Sequence, residues 1–303
     1  MLIKVLGSAA GGGLPQINCR CRNCADARNG SPALRARTQS SVAVSRDGES
    51  WTLLNASPDL RQQIQATPEL WPRPGGGLRS SPIVSIVLTN ADVDHVAGLL
   101  SLREGVAFTL YGSATVLAAL AANPIYAVLD PHQVTQLTLA LEREVAMRGG
   151  LTLEAFPVPG KVALYLESSA PDYGTRVGDT IGLKISDPRS GAAFFYIPGC
   201  AAIDAALAAR LNGSPLVLFD GTLYTDNEMI VQGLSSKTGQ RMGHLAMSGH
   251  KGAIAAFAAL QVGRRIFVHM NNSNPALRED SPERASVEAA GWEIAWDGME
   301  IAL

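Results

Sequence analysis

Apolar positions along this chain follow two rhythms, and each predicts a kind of element. Short runs with period-two or continuous β-branched character read as strands: LIKVLGS (2–8), SSVAVSR (40–46), WTLLNAS (51–57), IVSIVLT (83–89) and FTLYGS (108–113). Asp47-Gly48 between the second and third marks a hairpin. Further on, LTLEAFPVP, VALYLES, TIGLKISD and AAFFYIPG read as consecutive strands, followed by PLVLFDG (215–221) and RRIFVHM (264–270). Helical signals alternate with these. SPDLRQQIQATPEL begins like a helix, with Ser57 as N-cap and Pro58 as first helical residue. ADVDHVAGLLSLREG, SATVLAALAAN, the region around HQVTQLTLALEREVAMRGG, Asp204–Leu211 and KGAIAAFAAL (251–260) read the same way. SPERASVEAAG is a helix capped by Ser281 with Pro282 at its first position, and WEIAWDGMEIAL closes the chain as a hairpin or a pair of edge strands.

PRPGGGLRSSP (72–82) is a surface loop rather than a domain boundary, and there is neither an internal repeat nor a low-complexity linker. Strands in two groups, each followed by helices, predict an α/β (α+β) chain. Its two sheets are faced by helices, forming one αββα sandwich over residues 1–303 with a site at the ends of its central strands.

Composition narrows the partners. Hydrophobic residues are 47% and charged residues 17%, which is globular rather than disordered. The net charge of -2 supplies no basic field for nucleic acid or an anionic membrane. The first residues make no convincing signal peptide, and no apolar run reaches the ~20 residues of a membrane helix. Both point to the cytoplasm.

Three of the four cysteines, Cys19, Cys21 and Cys24, fall within CRCRNC. Thiolates at this spacing can share one tetrahedral zinc, with a fourth ligand from elsewhere and a structural role. The competing readings are three reduced surface thiols or a redox pair, and the βαβ context of the latter is missing. Cys200 reads as a small buried apolar residue. NADVDH (90–95) crowds Asp92, Asp94 and His95 at the end of a buried strand, where hard carboxylates and an imidazole suit Mn, Fe, Mg or Zn. The plainer alternative is that the acids cap a helix and His95 is superficial. His269 ends a strand and enters the amide-rich turn of Asn271, Asn272 and Asn274, which are otherwise ordinary turn formers. Of His244 and His250 in GHLAMSGH, His244 is better placed; His132 reads as surface. Asp220 and Asp59 are strand-end acids, either supporting partners of a site or turn residues.

GSAAGGGLPQINCRCRNC, TNADVDHVAGLLSLRE, VHMNNSNP and WDGMEI, spread from the first residues to the last, together resemble the metallo-β-lactamase superfamily, and within it a branch that serves pyrroloquinoline quinone (PQQ) biosynthesis. Against the superfamily signature H-x-H-x-D-H, Asn90 and Asp92 stand at the two leading histidine positions, while Asp94 and His95 match. His269 resembles the late strand-end metal histidine and His244 the histidine of the loop before the last helix. IPG (197–199) lacks the usual bridging aspartate.

The resemblance implies a four-layer αββα fold, a cytoplasmic location, and a Glu- and Tyr-bearing precursor handled beside other PQQ biosynthesis proteins. It implies hydroxylation of the tyrosine ring with O₂ as co-substrate. The active-site metal would be Fe²⁺, with Mn²⁺, Zn²⁺ or Mg²⁺ as alternatives, held by His95, His269 and Asp92 or Asp94. Asn90, His244 and Asp220 would support the metal or the substrate. The alternatives are a metal-dependent hydrolase and a carrier of PQQ or its precursor towards the periplasm. Related branches carry a histidine three residues after the position of His269, which makes Asn272 one candidate for the fourth ligand of the structural Zn²⁺, with a carbonyl, a water or His269 itself as the alternatives. The rigid zinc loop also offers a homodimer interface.

Overall fold

Side-chain alternation decides what each strand buries. In AFFYI, Phe194 and Tyr196 face one way while Phe195 and Ile197 face the other, and the two pairs join different cores. The computed structural model describes residues 1–167 and 177–303. Its strands in chain order are β1 (Leu2–Gly7), β2 (Ser41–Ser45), β3 (Trp51–Leu54), β4 (Ile83–Val87), β5 (Phe108–Gly112), β6 (Val134–Thr138), β7 (Glu144–Ala146), β8 (Thr152–Pro157), β9 (Ile181–Ser186), β10 (Ala193–Ile197), β11 (Leu216–Asp220), β12 (Arg264–Val268), β13 (Glu293–Ile294) and β14 (Glu300–Ala302). Among the described residues they form two seven-stranded sheets, ordered β14-β1-β2-β3-β4-β5-β6 and β13-β12-β11-β10-β9-β8-β7.

Between the sheets lie Val42, Val44, Leu54 and Val87 from one and Leu183, Tyr196, Leu218 and Val268 from the other. On the outer face of the first sheet, Leu53 and Ile86 pack with Leu60, Val116 and Leu120 of helices Leu60–Gln65 and Ala114–Ala121. On the outer face of the second, Phe195, Val217, Phe219 and Phe267 pack with Leu207, Phe257 and Val287 of helices Ala205–Leu211, Ala253–Phe257 and Pro282–Ala289. This is the αββα layering expected from the sequence. β3 to β6 run parallel, as do β10 to β13, so the carboxyl ends of β4, β11 and β12 lead into loops that can meet.

Three local expectations are corrected. HQVTQLTLALEREVAMRGG is not a helix; it is β6, a crossing and β7. Its apolar residues Leu139, Leu141, Val145 and Met147 all fall at odd positions, the period of a strand, and feed the space between the sheets as the chain passes from the edge of one to the edge of the other. VALYLES is not a strand: Leu164–Leu166 form one 3₁₀ turn, and Ser168 lies outside the described residues. The helix expected from Ser57 starts at Leu60 behind Asp59, because the Ser57 hydroxyl is engaged with Gln63 Oε1 (3.1 Å) instead of capping. Of the two readings of the closing segment, the pair of edge strands holds, since β13 joins the second sheet and β14 the first.

The outer core of the second sheet centres on Trp292, which stacks on Phe267 at 3.9 Å and 11° and meets Phe257 edge-on at 4.9 Å. Truncating a buried aromatic of this kind costs about 3–5 kcal/mol. Trp292→Ala is therefore expected to lower the unfolding free energy by that amount in urea denaturation. A loss under about 1 kcal/mol, the level of an ordinary substitution, would contradict this packing.

Candidate metal centre

The turn after β4 is built by short polar bonds. Asn90 Oδ1 accepts from the Asp92 amide (2.9 Å), and the Asp92 carbonyl accepts from the amides of His95 (2.9 Å) and Val96 (3.1 Å). The short helix Val93–Val96 thus begins without a side-chain cap, so capping does not explain its acids. The Asp92 carboxylate turns instead to the Leu164 amide (Oδ1, 3.0 Å). Burial, helped by the charge of Asp94, raises its pKa above the ordinary carboxylate value. Asp94 and His95 point the other way, into the interior.

His269 follows β12 with φ 57, a left-handed backbone rarely taken by a residue other than glycine. This turn brings its Nε2 to 3.0 Å from Asp94 Oδ2. His95 lies edge-on to it, ring centres 5.2 Å apart, with Nε2 3.9 Å from the same carboxylate oxygen. His95 Nδ1 meets the Thr89 hydroxyl at 3.3 Å, yet its buried Nε2 has no hydrogen-bond partner among the described residues. A buried polar nitrogen left unpaired is costly, and a cation between it and its neighbours would satisfy it. Burial pushes the His95 pKa down to about 4, so its ring is neutral near pH 7, the form that ligates. Burial opposes charge on Asp94 and His269 as well. It is outweighed at Asp94 by the two imidazoles, which hold its carboxyl well below the usual range. At His269 it is outweighed by Asp94 and Asp220, which raise the ring's pKa.

A second group, Asp220, His244 and His269, looks equally suited to a cation by composition. Its centre is taken. The Thr222 hydroxyl stands 2.7 Å from Asp220 Oδ1, 2.8 Å from His269 Nδ1 and 3.1 Å from His244 Nδ1. Asp220 is fully buried, and its Oδ2 accepts from His244 Nδ1 (2.8 Å) and the Cys200 amide (2.9 Å). This group is a hydrogen-bond hub, whereas Asp94, His95 and His269 form the cluster with an unsatisfied ligand atom. Thr222 and Thr89 escaped the sequence reading because a threonine beyond a strand end carries no motif.

Cys19, Cys21 and Cys24 also converge, with Cys21 capping the helix Arg22–Arg28. The Asn272 carboxamide faces all three sulfurs, at 3.2 Å from Cys19, 3.5 Å from Cys21 and 3.2 Å from Cys24. It is the Nδ2 that donates to all three sulfurs and stands at the fourth corner; for Asn272 to ligate zinc the carboxamide would have to present Oδ1 there instead. Asn23 Nδ2 locks the turn by donating to the carbonyls of Asn272 (3.0 Å) and Asn274 (2.9 Å). Burial pushes the Cys21 thiol up to about 12, with the neighbouring sulfurs adding to the effect, which a cation would reverse. His269 is not shared with this site. Cys200 is buried apart from it, its thiol donating to the Ala202 carbonyl (3.0 Å), and His132 and His250 are exposed. Asp59 is a turn partner, accepting from the Gln39 amide (2.8 Å).

Known proteins share this architecture. A beta-lactamase superfamily domain family matches residues 50–270. Coenzyme PQQ synthesis protein B of Methylorubrum extorquens (strain PA1) is 52% identical over 303 residues, 100% of each chain. That of Xanthomonas axonopodis pv. citri (strain 306) is 53% identical over 304 residues, again 100% of each. The crystal structure of Zn(2+)-bound PqqB from Methylobacterium extorquens superposes with TM-score 0.95 at 51% identity, covering 100% of both chains. A diphosphatase of the PhnP family shares the fold alone, with TM-score 0.69 at 20% identity over 100% of this chain and 97% of that one.

Cys24→Ala should remove one bound zinc per chain under chelator competition, as metal analysis by mass spectrometry would read, because two thiolates and an amide make a much poorer site. Unchanged zinc stoichiometry would show that the three sulfurs do not hold the ion.

Proposed function

We propose, on the premise that the chain belongs to the coenzyme PQQ synthesis protein B family within the beta-lactamase superfamily and serves PQQ biosynthesis, that its histidine–carboxylate cluster is an iron centre that hydroxylates the tyrosine-derived ring of a Glu- and Tyr-bearing precursor. The observation that carries this reading is the buried, unpartnered Nε2 of His95 beside Asp94 and His269. Two imidazoles and one carboxylate, with positions left open, suit non-haem Fe²⁺. Asp94, His95 and His269 would hold it. Asp92 stands outside that cluster, with its Oδ1 accepting from the Leu164 amide. Iron so bound supplies the reactivity with O₂ that ring hydroxylation needs.

The chain's own groups place the substrate and its proton. His244 stacks on His269 at 5.3 Å and is the more exposed of the two, with 18% of its side chain accessible against 6%. Its Nδ1 is tied to Asp220, which leaves Nε2 as the atom that can exchange a proton with a phenol hydroxyl. Asn90 serves by shaping the turn rather than by touching substrate. Zinc belongs with the three thiolates, which prefer a soft or borderline ion. Three free thiols this close also fit a reducing compartment, and we place the protein in the cytoplasm as one domain built around the shared inter-sheet core. No helix among the described residues is long and apolar enough to cross a membrane. The Thr222 hydroxyl at the centre of the second group argues against a dinuclear hydrolase.

The protein loaded anaerobically with iron, then given O₂, the precursor and a two-electron reductant such as ascorbate, should yield a product one oxygen heavier by mass spectrometry, with the second oxygen atom leaving as water. Asp94→Asn should lower iron affinity by more than the roughly 10–100-fold typical of losing a ligand's supporting partner, and product should fall with it. An unchanged precursor mass, or full turnover by Asp94→Asn, would remove the hydroxylase reading and leave a carrier role ahead.

A further inference from the structure

An imidazole can hold a cation at Nε2 only when its proton sits on Nδ1, so whatever faces Nδ1 selects the ligating tautomer. For His269 that group is the Thr222 hydroxyl, at 2.8 Å. A hydroxyl carries one proton and must spend it on one acceptor. The nearest is Asp220 Oδ1 at 2.7 Å. Asp220 takes three further donors, the amides of Thr222 (3.0 Å) and Cys200 (2.9 Å) and His244 Nδ1 (2.8 Å), so it is acceptor on every side. A charge-assisted bond to that carboxylate takes the hydroxyl proton. The Thr222 oxygen then offers only a lone pair to His269, and Nδ1 must donate to it.

The same residue fixes where the ring stands. The His269 carbonyl, 3.0 Å from Thr222 Oγ1, competes for the same proton but is longer and uncharged, and the Thr222 carbonyl accepts from the Asn271 amide at 3.0 Å, which holds the turn that carries His269. Gly221 allows this approach, because a Cβ there would lie 2.8 Å from Phe267 Cβ and 2.6 Å from the Met270 sulfur. His95 has a looser arrangement, with Thr89 3.3 Å from Nδ1 and a neutral amide, Asn55, behind it.

We propose that Thr222 is a positioning residue of the metal centre: through its hydroxyl the buried Asp220 carboxylate holds the Nδ1–H tautomer of His269 and aims the Nε2 lone pair at the cation site beside Asp94. This rests on the reading of Asp94, His95 and His269 as ligands.

The test is binding of cobalt(II) as probe to the native chain, Thr222→Val, Thr222→Ala and Thr222→Ser. Thiolate charge-transfer bands report the cysteine site, and weaker ligand-field bands report the histidine–carboxylate site. Valine keeps the shape without the hydroxyl, and alanine serves should valine fail to fold. Both should bind cobalt at the histidine–carboxylate site about 10–100-fold more weakly, the range for loss of a ligand's hydrogen-bond partner. Their thiolate bands should stay at native intensity and the apo chains should still unfold cooperatively, at a midpoint lowered by the lost buried hydrogen bond. Serine should restore the affinity to within a few-fold of native.

Native-like affinity in valine and alanine, or a serine variant as weak as valine, would overturn the role of Thr222 and leave the ligand set standing. A native chain that binds cobalt only at the thiolates would overturn both.

Discussion

The contact between Asp94 and His269, 3.0 Å across, is the constraint on which the rest of the site depends. Asp94 leaves the end of a strand in one sheet and His269 the end of a strand in the other. Their meeting requires the two sheets to pack with those ends on a common rim. Packing of Val87 and Leu54 against Val268 and Tyr196 fixes that relation, because close-packed interiors tolerate little sliding. The left-handed backbone at His269 completes it by turning the ring off the strand direction. The inter-sheet core therefore sets the geometry of the cluster although none of its residues enters it.

The turn after β12 serves both candidate metal sites. His269 enters the histidine–carboxylate cluster and Asn272, three residues later, faces the three thiols. Asn274 stitches the turn to the loop after β11 through the Gly221 carbonyl (3.0 Å). A thiolate-bound zinc would thus brace the segment that presents His269. This would give the zinc loop a part in holding the histidine–carboxylate cluster, since residues 269 and 272 lie on one turn.

Much of this was legible in the sequence. β-branched runs and alternation gave the two groups of strands, and strand-end acids and histidines gave the ligand candidates. The spacing of Cys19, Cys21 and Cys24 announced their convergence, because local spacing suffices to bring them together. What stayed hidden depends on tertiary contact. Which carboxylate of NADVDH turns inward is decided by the Leu164 amide, distant in sequence, which claims Asp92. The strand character of 134–146 was masked by residues that are also good helix formers. Thr222 is invisible by type and becomes meaningful only once Asp220, His244 and His269 surround it.

Asn90 and Asp92 stand where the superfamily signature has histidines, and the structure assigns both to other work. Asn90 Oδ1 closes its own turn on the Asp92 amide, and Asp92 anchors the segment of Leu164. Neither side chain replaces an imidazole ligand in kind. On the opposite side, the space among Asp220, His244 and His269 is held by a hydroxyl that already bonds to all three. Among the described residues of these two groups, His95 Nε2 is the buried ring nitrogen left without a hydrogen-bond partner. Loss of ligands on one flank and occupation of the other act in the same direction. On the proposed reading they favour a single ion with open positions over a pair of ions, an arrangement that suits non-haem iron.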